Sequence, residues 1–309
     1  MTISSGFKRI LKKLVEVTLS IFARSSPSYQ AIAPPKSSAS KSSASVELGY
    51  FARLRLMVRS RGLTLLKFPW LLRGAVAIVT LVLAHRAVWS LSLQQAIHLE
   101  EQGNLSGAIV AYQHSIQLQP SAYAYYNLGV LLEKQTKIDQ AIAAYQKAVE
   151  LDTNYGFAYS SLGDLLQQQG SLDAAIAAYY QAIKFNANLA TNYNSLGAVF
   201  AKQKKLDLAL AAYQKAIQAD PNFALAHNHL GMILVQQGKQ EAAIVSFQTA
   251  VQLDPKYAFA YANLGDELQR QGNWTGAIVA YQNAVRLNPT AQAIRRSLVA
   301  TQQRLDACK

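Results

Sequence analysis

The segment Tyr125-Tyr126-Asn127-Leu128-Gly129 returns along the chain, for example as Tyr261-Ala262-Asn263-Leu264-Gly265. Its glycine follows a leucine each time and recurs every 34 residues, at Gly129, Gly163, Gly197, Gly231 and Gly265. A fixed period of this length is typical of a solenoid, in which each unit buries its apolar face only against its neighbours. The period therefore predicts a repeat protein before any single element is assigned.

One unit, residues 122–155, contains two helical patterns separated by a short turn. In the first pattern Tyr125, Leu128 and Leu132 share a helical face with Gly129. In the second pattern one face carries Ala141, Ile142, Tyr145, Ala148 and Val149. The small residues allow two antiparallel helices to approach closely, and the tyrosine is expected to fill the space between this pair and the next.

The second helix carries its own signature in every unit. An alanine lies near its start, at Ala108, Ala141, Ala175, Ala209, Ala243 and Ala277. An aromatic residue follows four positions later, at Tyr112, Tyr145, Tyr179, Tyr213, Phe247 and Tyr281. A proline ends the unit in four cases, at Pro120, Pro221, Pro255 and Pro289. Because proline has no amide hydrogen, it is expected to stop the second helix there.

This pattern of aromatic, Leu-Gly, Ala, aromatic, Ala and Pro resembles the tetratricopeptide repeat (TPR) family. The resemblance implies an all-α fold, a right-handed solenoid of six helix–turn–helix repeats. The predicted units span residues 89–121, 122–155, 156–189, 190–223, 224–257 and 258–290. The first unit is degenerate, since Ala96 replaces the glycine and the unit is one residue short. An amphipathic capping helix is expected over residues 291–307, with a polar outer face.

The charge of the chain lies almost entirely in its N-terminal third. The formal net charge is +13, of which residues 1–86 carry +12 and residues 87–309 carry +1. A protein that binds nucleic acid needs a basic field on its folded module. The nearly neutral repeats therefore argue against nucleic acid as a partner.

Three segments precede the apolar run of the N-terminal third. Residues 1–24 predict a basic amphipathic helix that suits an anionic membrane surface, or else a targeting peptide that is cleaved. Residues 25–47 form a Ser/Ala/Pro-rich stretch, which predicts a flexible, partly disordered linker. Residues 48–68 are again basic and apolar, as expected of a juxtamembrane segment.

Residues 69–91 predict a single transmembrane helix. Trp70 and Trp89 bracket the run, and their separation corresponds to about 28 Å of helix, against roughly 30 Å for a bilayer core. Arg73 and Arg86 lie near its ends, where an arginine reaches the lipid headgroups at small cost. The alternative is an extra helix buried against the first repeat. If the helix spans the membrane, the positive-inside rule places the N-terminus in the cytoplasm or stroma and the repeats on the opposite side.

The resemblance also implies that the first helix of each unit lines a concave groove in which partners bind. Candidate groove residues with polar side chains are Tyr126, Asn127, Asp164, Asn194, Asn228, His229, Asn263 and Asp266. Candidate apolar or aromatic anchors are Tyr123, Phe157, Met232 and Phe259. A row of carboxamides can bind the backbone of an extended peptide, and this partial asparagine ladder is similar to that of the O-linked N-acetylglucosamine transferases. The alternative is that these asparagines have a local structural role.

No pattern in the sequence points to catalysis. His227 and His229 are two residues apart and face different sides of a helix, and Cys308 is the single cysteine. The chain contains no phosphate-binding loop and no nucleophile motif, so it is predicted to have no enzymatic activity, cofactor, metal or small-molecule substrate.

Together these patterns predict a membrane-anchored scaffold that binds peptide segments of partner proteins and assembles a membrane-associated complex. Two alternatives remain open at the level of sequence. One is an accessory subunit of an enzyme that builds glycans or the cell envelope. The other is a soluble organellar adaptor whose targeting peptide is cleaved.

Overall fold

Residues 69–307 are described by a computed structural model, and the chain divides between Ala77 and Ile78 into two compact units. The described residues form thirteen α-helices and no strand. The first seven are α1 Pro69–Glu101, α2 Leu105–Leu118, α3 Ala122–Lys134, α4 Ile138–Leu151, α5 Gly156–Gln168, α6 Leu172–Lys184 and α7 Leu189–Lys202. The remaining six are α8 Leu206–Ala219, α9 Ala224–Gln236, α10 Gln240–Leu253, α11 Ala258–Arg270, α12 Trp274–Leu287 and α13 Gln292–Ala307.

The helices from α3 onward pair as the sequence predicts. Units 2 to 6 are the pairs α3/α4, α5/α6, α7/α8, α9/α10 and α11/α12, each joined by a turn of three residues. Each second helix also packs against the first helix of the following unit. The fold is therefore an all-α solenoid, which confirms the prediction made from the glycine period.

The core runs along the stack as three adjoining clusters of buried side chains. Leu166 packs against both the first and the second cluster, whereas Leu210 and Leu230 pack against both the second and the third. Because neighbouring clusters share these leucines, each unit is buried by the units beside it rather than by its own small core.

A glycine–aromatic contact closes each of units 2 to 6. A Cβ atom placed on Gly231 would lie 2.6 Å from Cε1 of Phe247, so the ring edge occupies the space that any larger residue needs. The other four glycines meet their partners equally closely, in the pairs Gly129–Tyr145, Gly163–Tyr179, Gly197–Tyr213 and Gly265–Tyr281. All five rings are buried. The predicted role of the small residues, close approach of the paired helices, is confirmed.

The turn inside each unit requires a left-handed backbone conformation at its second residue. Glycine holds this position in four units, with φ between +73° and +81°, at Gly103, Gly170, Gly238 and Gly272. Thr136 and Lys204 hold it in the other two, with φ of 59° and 60°. Glycine adopts this conformation without steric cost, so these two units carry the strained version of the turn.

The predicted helix stops are confirmed where a proline is present. Helices α2, α8, α10 and α12 each end two residues before their prolines Pro120, Pro221, Pro255 and Pro289. The missing residue of the first unit lies just after α2, since three residues join α2 to α3 and four join each later pair of units. Between α6 and α7, where no proline occurs, the chain turns through Asn186 and Asn188, which have positive φ values.

The solenoid ends with the predicted capping helix, α13. Ile294 and Leu298 pack against the last core cluster, and Thr301 is buried with its Oγ1 at 2.7 Å from Oε1 of Gln269. The guanidinium group of Arg304 lies 5.7 Å from the ring of Trp274. The other basic side chains of α13, Arg295 and Arg296, are exposed, which gives the last unit its polar outer face.

The predictions for the N-terminal third are tested only in part. The amphipathic helix 1–24, the linker 25–47 and the juxtamembrane segment 48–68 lie outside the described residues. Residues 69–91 belong to α1, yet within the described residues no helix has both the length and the apolar character to cross a membrane. The alternative of a helix buried on the first repeat is wrong for Leu81, Val82, Val88 and Leu91, because they are exposed, whereas Trp89 and Ser90 are half-buried.

Replacement of Gly231 by alanine is expected to destabilise the protein. The added methyl group must displace the buried ring of Phe247, and this overpacking outweighs the gain in helix propensity, for a net loss of about 1–2 kcal/mol in the free energy of unfolding. Urea unfolding of Gly231→Ala, Phe247→Leu and the double variant measures the coupling. Phe247→Leu removes the ring edge, so the double variant should lose less stability than the sum of the single losses. Additive losses would show that this contact does not set the helix spacing.

Candidate partner-binding groove

The candidate site is the face formed by the first helices of the units, α3, α5, α7, α9 and α11, which we call the groove. Five of the predicted groove residues are exposed: Phe157, Asp164, Met232, Phe259 and Asp266. Five others are partly buried: Tyr123, Tyr126, Asn127, His229 and Asn263. These ten side chains retain a surface that a partner can contact.

The expectation that Asn194 and Asn228 are exposed is wrong, since they are only 6% and 2% accessible. Both lie three residues before the glycine, where the first helices of neighbouring units touch. Oδ1 of Asn194 lies 2.8 Å from Nδ1 of His229, and Oδ1 of Asn228 accepts a hydrogen bond from Asn263 at 2.9 Å. The side-chain amide of Asn228 also donates to the hydroxyl of Tyr257 at 3.2 Å. The asparagine ladder thus links one repeat to the next.

The same position in unit 3 also serves to link repeats. Ser160 is buried and donates a hydrogen bond of 2.8 Å to Oδ1 of Asn192, which lies in the next first helix and is itself fully buried. Asn127 differs, because its amide donates to the carbonyl of Tyr123 in its own helix at 2.9 Å. Buried polar groups need such partners, and neighbouring helices supply them here.

Four tyrosines of the second helices direct their hydroxyl groups to acids or amides on the first helix of the same unit, a contact that was not predicted from the sequence. Tyr112 donates to Glu100 at 3.0 Å and Tyr145 donates to Glu133 at 2.9 Å. Tyr179 has acceptors at 2.8 Å in Asp164 and Gln167, and Tyr281 has Asp266 at 2.6 Å and Gln269 at 3.2 Å. The hydroxyl of a buried tyrosine needs a hydrogen-bond acceptor. An acid or amide four residues after the glycine is therefore the sequence signal from which these contacts could have been predicted.

These pairs decide which groups carry charge in the groove. Burial, together with the neighbouring carboxylates, raises the pKa of Tyr112, Tyr145, Tyr179 and Tyr281, so all four remain neutral donors. Desolvation by the groove walls also raises the pKa of Asp164, although its side chain still contacts solvent. Because a neutral hydroxyl carries no positive charge, these tyrosines do not balance the charge of the groove carboxylates.

Units 4 and 5 have no acid or amide at the corresponding positions. One and four residues after the glycine they carry Ala198 and Ala201, then Met232 and Val235. The second-helix aromatic residues there are Tyr213 and Phe247, and the ring of Tyr213 lies 5.3 Å from that of His229. Burial lowers the pKa of His229, so this imidazole is neutral at pH 7. The middle of the groove is therefore apolar, with no carboxylate at these positions.

Three cations lie five residues after the glycine, at Lys134, Lys202 and Arg270, and two of them face an acid of the protein. Nζ of Lys134 lies 4.0 Å from Glu100, and Nη1 of Arg270 lies 2.8 Å from Glu267. The second pair is the shorter of the two, and its carboxylate, Glu267, is buried. A continuous basic track for an acidic peptide is thus interrupted at both of these units.

A second set of polar links lies outside the groove, at the turns. The glutamine that caps a first helix donates to an aspartate at the start of the preceding second helix, in the pairs Gln169–Asp139, Gln203–Asp173 and Gln237–Asp207, with lengths of 2.7–3.1 Å. These aspartates are exposed, so they can serve as control carboxylates that lie away from the groove.

Family models match most of the repeat region. A model described as the tetratricopeptide repeat matches residues 122–155, a second such model matches 258–291, and a TPR repeat model matches 163–204, 199–238 and 231–272. A search of curated proteins finds no match.

Solved structures give the same fold. YrrB, a TPR protein with an unusual peptide-binding site, is 25% identical over 60% of this chain and 97% of its own, with a TM-score of 0.50. PilF of Pseudomonas aeruginosa is 17% identical over 73% of this chain and 100% of its own, with a TM-score of 0.59. The C-terminal part of a TPR protein from Cytophaga hutchinsonii is 16% identical over 73% and 94%, with a TM-score of 0.55. At these identities the last two show the fold alone.

Replacement of Asn228 by alanine is expected to lower the free energy of unfolding by about 1–3 kcal/mol, because Asn263 and Tyr257 lose a buried partner. Asn127→Ala is the matched control, since that amide bonds only its own helix, and a change within ~0.5 kcal/mol is expected. Chemical unfolding of both variants checks the difference. Equal effects would contradict a structural role that is special to the buried ladder.

Proposed function

Because the chain belongs to the tetratricopeptide repeat family, we propose that it is a non-enzymatic scaffold whose groove binds a peptide segment of a partner protein. The observation that carries this proposal is the exposure of large apolar side chains along the groove. Phe157 is 46% exposed, Met232 43% and Phe259 66%. Rigid aromatic side chains contribute most of the binding energy at protein interfaces, so these residues are suited to anchor a partner.

The comparison with YrrB supports a peptide as the ligand. That protein is described as a TPR protein with an unusual peptide-binding site, and the present chain covers 97% of its length. An extended peptide lying across several first helices would contact anchors in units 3, 5 and 6 at once. Such contacts depend on the rigid spacing of the units, which the glycine–aromatic contacts and the buried asparagine ladder maintain.

The second part of the proposal is a membrane tether, which is supported by residues of α1 that lie outside the groove. Among the described side chains of α1, the large apolar residues Leu81, Val82, Val88 and Leu91 are exposed, and they follow the basic segments of the N-terminal third. Apolar side chains on a helix surface gain free energy when they leave water, and a bilayer provides that environment next to anionic headgroups. In this proposal α1 and the residues before it hold the repeats at a membrane, where the groove gathers components of a complex.

The alternative of an accessory subunit in glycan synthesis came from the asparagine ladder. Since Asn194 and Asn228 are buried between repeats, the ladder no longer favours it. The alternative of a soluble adaptor depends on cleavage within the N-terminal third, and the membrane experiment below separates it from the tether.

Loss of two anchors is expected to reduce partner capture at least tenfold. The immobilised full chain captures binding proteins from an extract, and mass spectrometry quantifies them for the wild type and for Phe157→Ala/Phe259→Ala. The control is Tyr180→Ala/Leu208→Ala, which removes two side chains of similar exposure from second helices. Circular dichroism confirms that both variants fold. Equal capture by the anchor variant and the wild type would overturn the groove as the binding surface.

Two charges placed in the exposed apolar part of α1 are expected to release the chain from membranes. A lysine among apolar side chains that contact the bilayer costs up to about 2.5–3.5 kcal/mol on the insertion scale, so Leu81→Lys/Val82→Lys should appear in the supernatant of a carbonate wash. The wild type and Leu91→Lys, which lies beyond Trp89, should remain in the pellet. Release of the wild type itself would favour the soluble adaptor. In sealed vesicles, protection of the repeats from protease on the cytoplasmic side would support the predicted orientation, and digestion would contradict it.

A further inference from the structure

The groove carries unneutralised carboxylates in units 2 and 3. Glu133 and Asp164 each accept a hydroxyl hydrogen bond, from Tyr145 and Tyr179, but no ion pair among residues 69–307 includes either of them. Lys134 is adjacent to Glu133 in sequence but lies 4.0 Å from Glu100 instead. Burial raises the pKa of Asp164, and repulsion from the charge of Glu133 adds to that rise. A positive charge brought to this place would relieve that repulsion.

Aromatic rings lie next to these carboxylates. The ring centre of Tyr126 lies 5.7 Å from that of Tyr145 and 5.1 Å from that of Tyr155. In the next first helix the side chain of Phe157 is exposed. The face of an aromatic ring attracts a lysine or arginine side chain, and a nearby carboxylate adds a direct ion pair. Units 2 and 3 therefore offer both features that favour a basic side chain.

The middle of the groove has the opposite chemistry. At Ala198, Ala201, Met232 and Val235 the first helices of units 4 and 5 present apolar groups where other units have acids or amides. The thioether of Met232 is exposed and adapts to apolar partners of different shapes. Lys202 is exposed at the end of α7, and its charge disfavours a second basic residue in this part of the groove.

The distance between the two regions sets the length of the segment that can contact both. Asp164 and Met232 hold the same position two repeats apart, and adjacent first helices are in contact. Packed helices lie about 10 Å apart, so the two sites are separated by about 20 Å, which an extended chain spans in about six residues at ~3.3 Å each.

From this arrangement we infer that the groove selects an extended partner segment with a lysine or arginine at Glu133 and Asp164 and an apolar side chain about six residues away at Met232. The inference rests on the proposed peptide-binding function and adds the chemistry of the peptide. Hydrogen bonds of the tyrosines hold the two carboxylates in place before the partner arrives. The apolar part and Lys202 reject a segment that is basic throughout.

The test measures fluorescence anisotropy of labelled twelve-residue peptides that bind the full chain. The probe has a Lys-Lys pair and a Leu-Phe pair separated by five serines, and it is made in both orders. In at least one of the two orders, the probe should bind at least tenfold more tightly than a peptide with Glu-Glu in place of Lys-Lys. It should also bind at least tenfold more tightly than a peptide with Ser-Ser in place of Leu-Phe. The preference over Glu-Glu should shrink as salt rises. Equal binding of the Lys-Lys and Glu-Glu peptides would overturn the inference.

Two double variants assign the preference to the named carboxylates. Glu133→Gln/Asp164→Asn keeps an acceptor for each tyrosine hydroxyl while it removes both charges, and it should weaken the Lys-Lys probe at least tenfold. Asp139→Asn/Asp173→Asn removes the same charge outside the groove and should leave the affinity within about twofold. Equal loss in both variants would show that net charge, and not this site, attracts the probe.

The outcomes separate this inference from the proposed function. If neither probe binds while Phe157→Ala/Phe259→Ala still loses captured proteins, the groove binds peptides of other chemistry and only the inference fails. If the anchor variant captures normally and no probe binds, both fail. Binding of the Lys-Lys probe that the groove variants weaken supports both.

Discussion

The contact on which the whole structure depends is that between a glycine of the first helix and an aromatic ring of the second. At 2.6–2.7 Å from the ring, a Cβ atom at any of the five glycines would overlap it, so each pair of helices is held at one spacing. Because a solenoid adds the geometry of its units, an error at one pair displaces every residue beyond it. The repeated contact thus sets the register of the groove along the entire stack.

The tyrosine at this contact has a second consequence. In units 2, 3 and 6 its ring fills the core while its hydroxyl reaches the groove, where Glu133, Asp164 and Asp266 accept its hydrogen bond. The packing of the core and the charges of the groove are therefore set by the same residues. Units 4 and 5, where the first helices carry alanine, methionine and valine at these positions, interrupt the series and divide the groove into polar and apolar parts.

Much of this architecture is visible in the sequence because each unit repeats the same local solution. The glycine period predicted the paired helices, the prolines predicted where four second helices end, and Ile294 and Leu298 predicted the capping helix. Apart from Asn194 and Asn228, the candidate groove residues have accessible side chains, and helical periodicity is the signal that separates such positions from the core. Whether they bind a partner depends on the experiments above.

The sequence by itself determined the fold class, the 34-residue period and the separation of a basic N-terminal third from nearly neutral repeats, because these follow from local spacing and composition. Only the tertiary structure decided that Asn194 and Asn228 are buried, since that depends on how closely the first helices of adjacent units approach. It also decided which carboxylates receive a tyrosine hydroxyl and which receive a cation. Apart from Glu267 and Arg270, which are three residues apart in one helix, those partners are 12 to 34 residues apart along the chain, and packing of the helices brings them together.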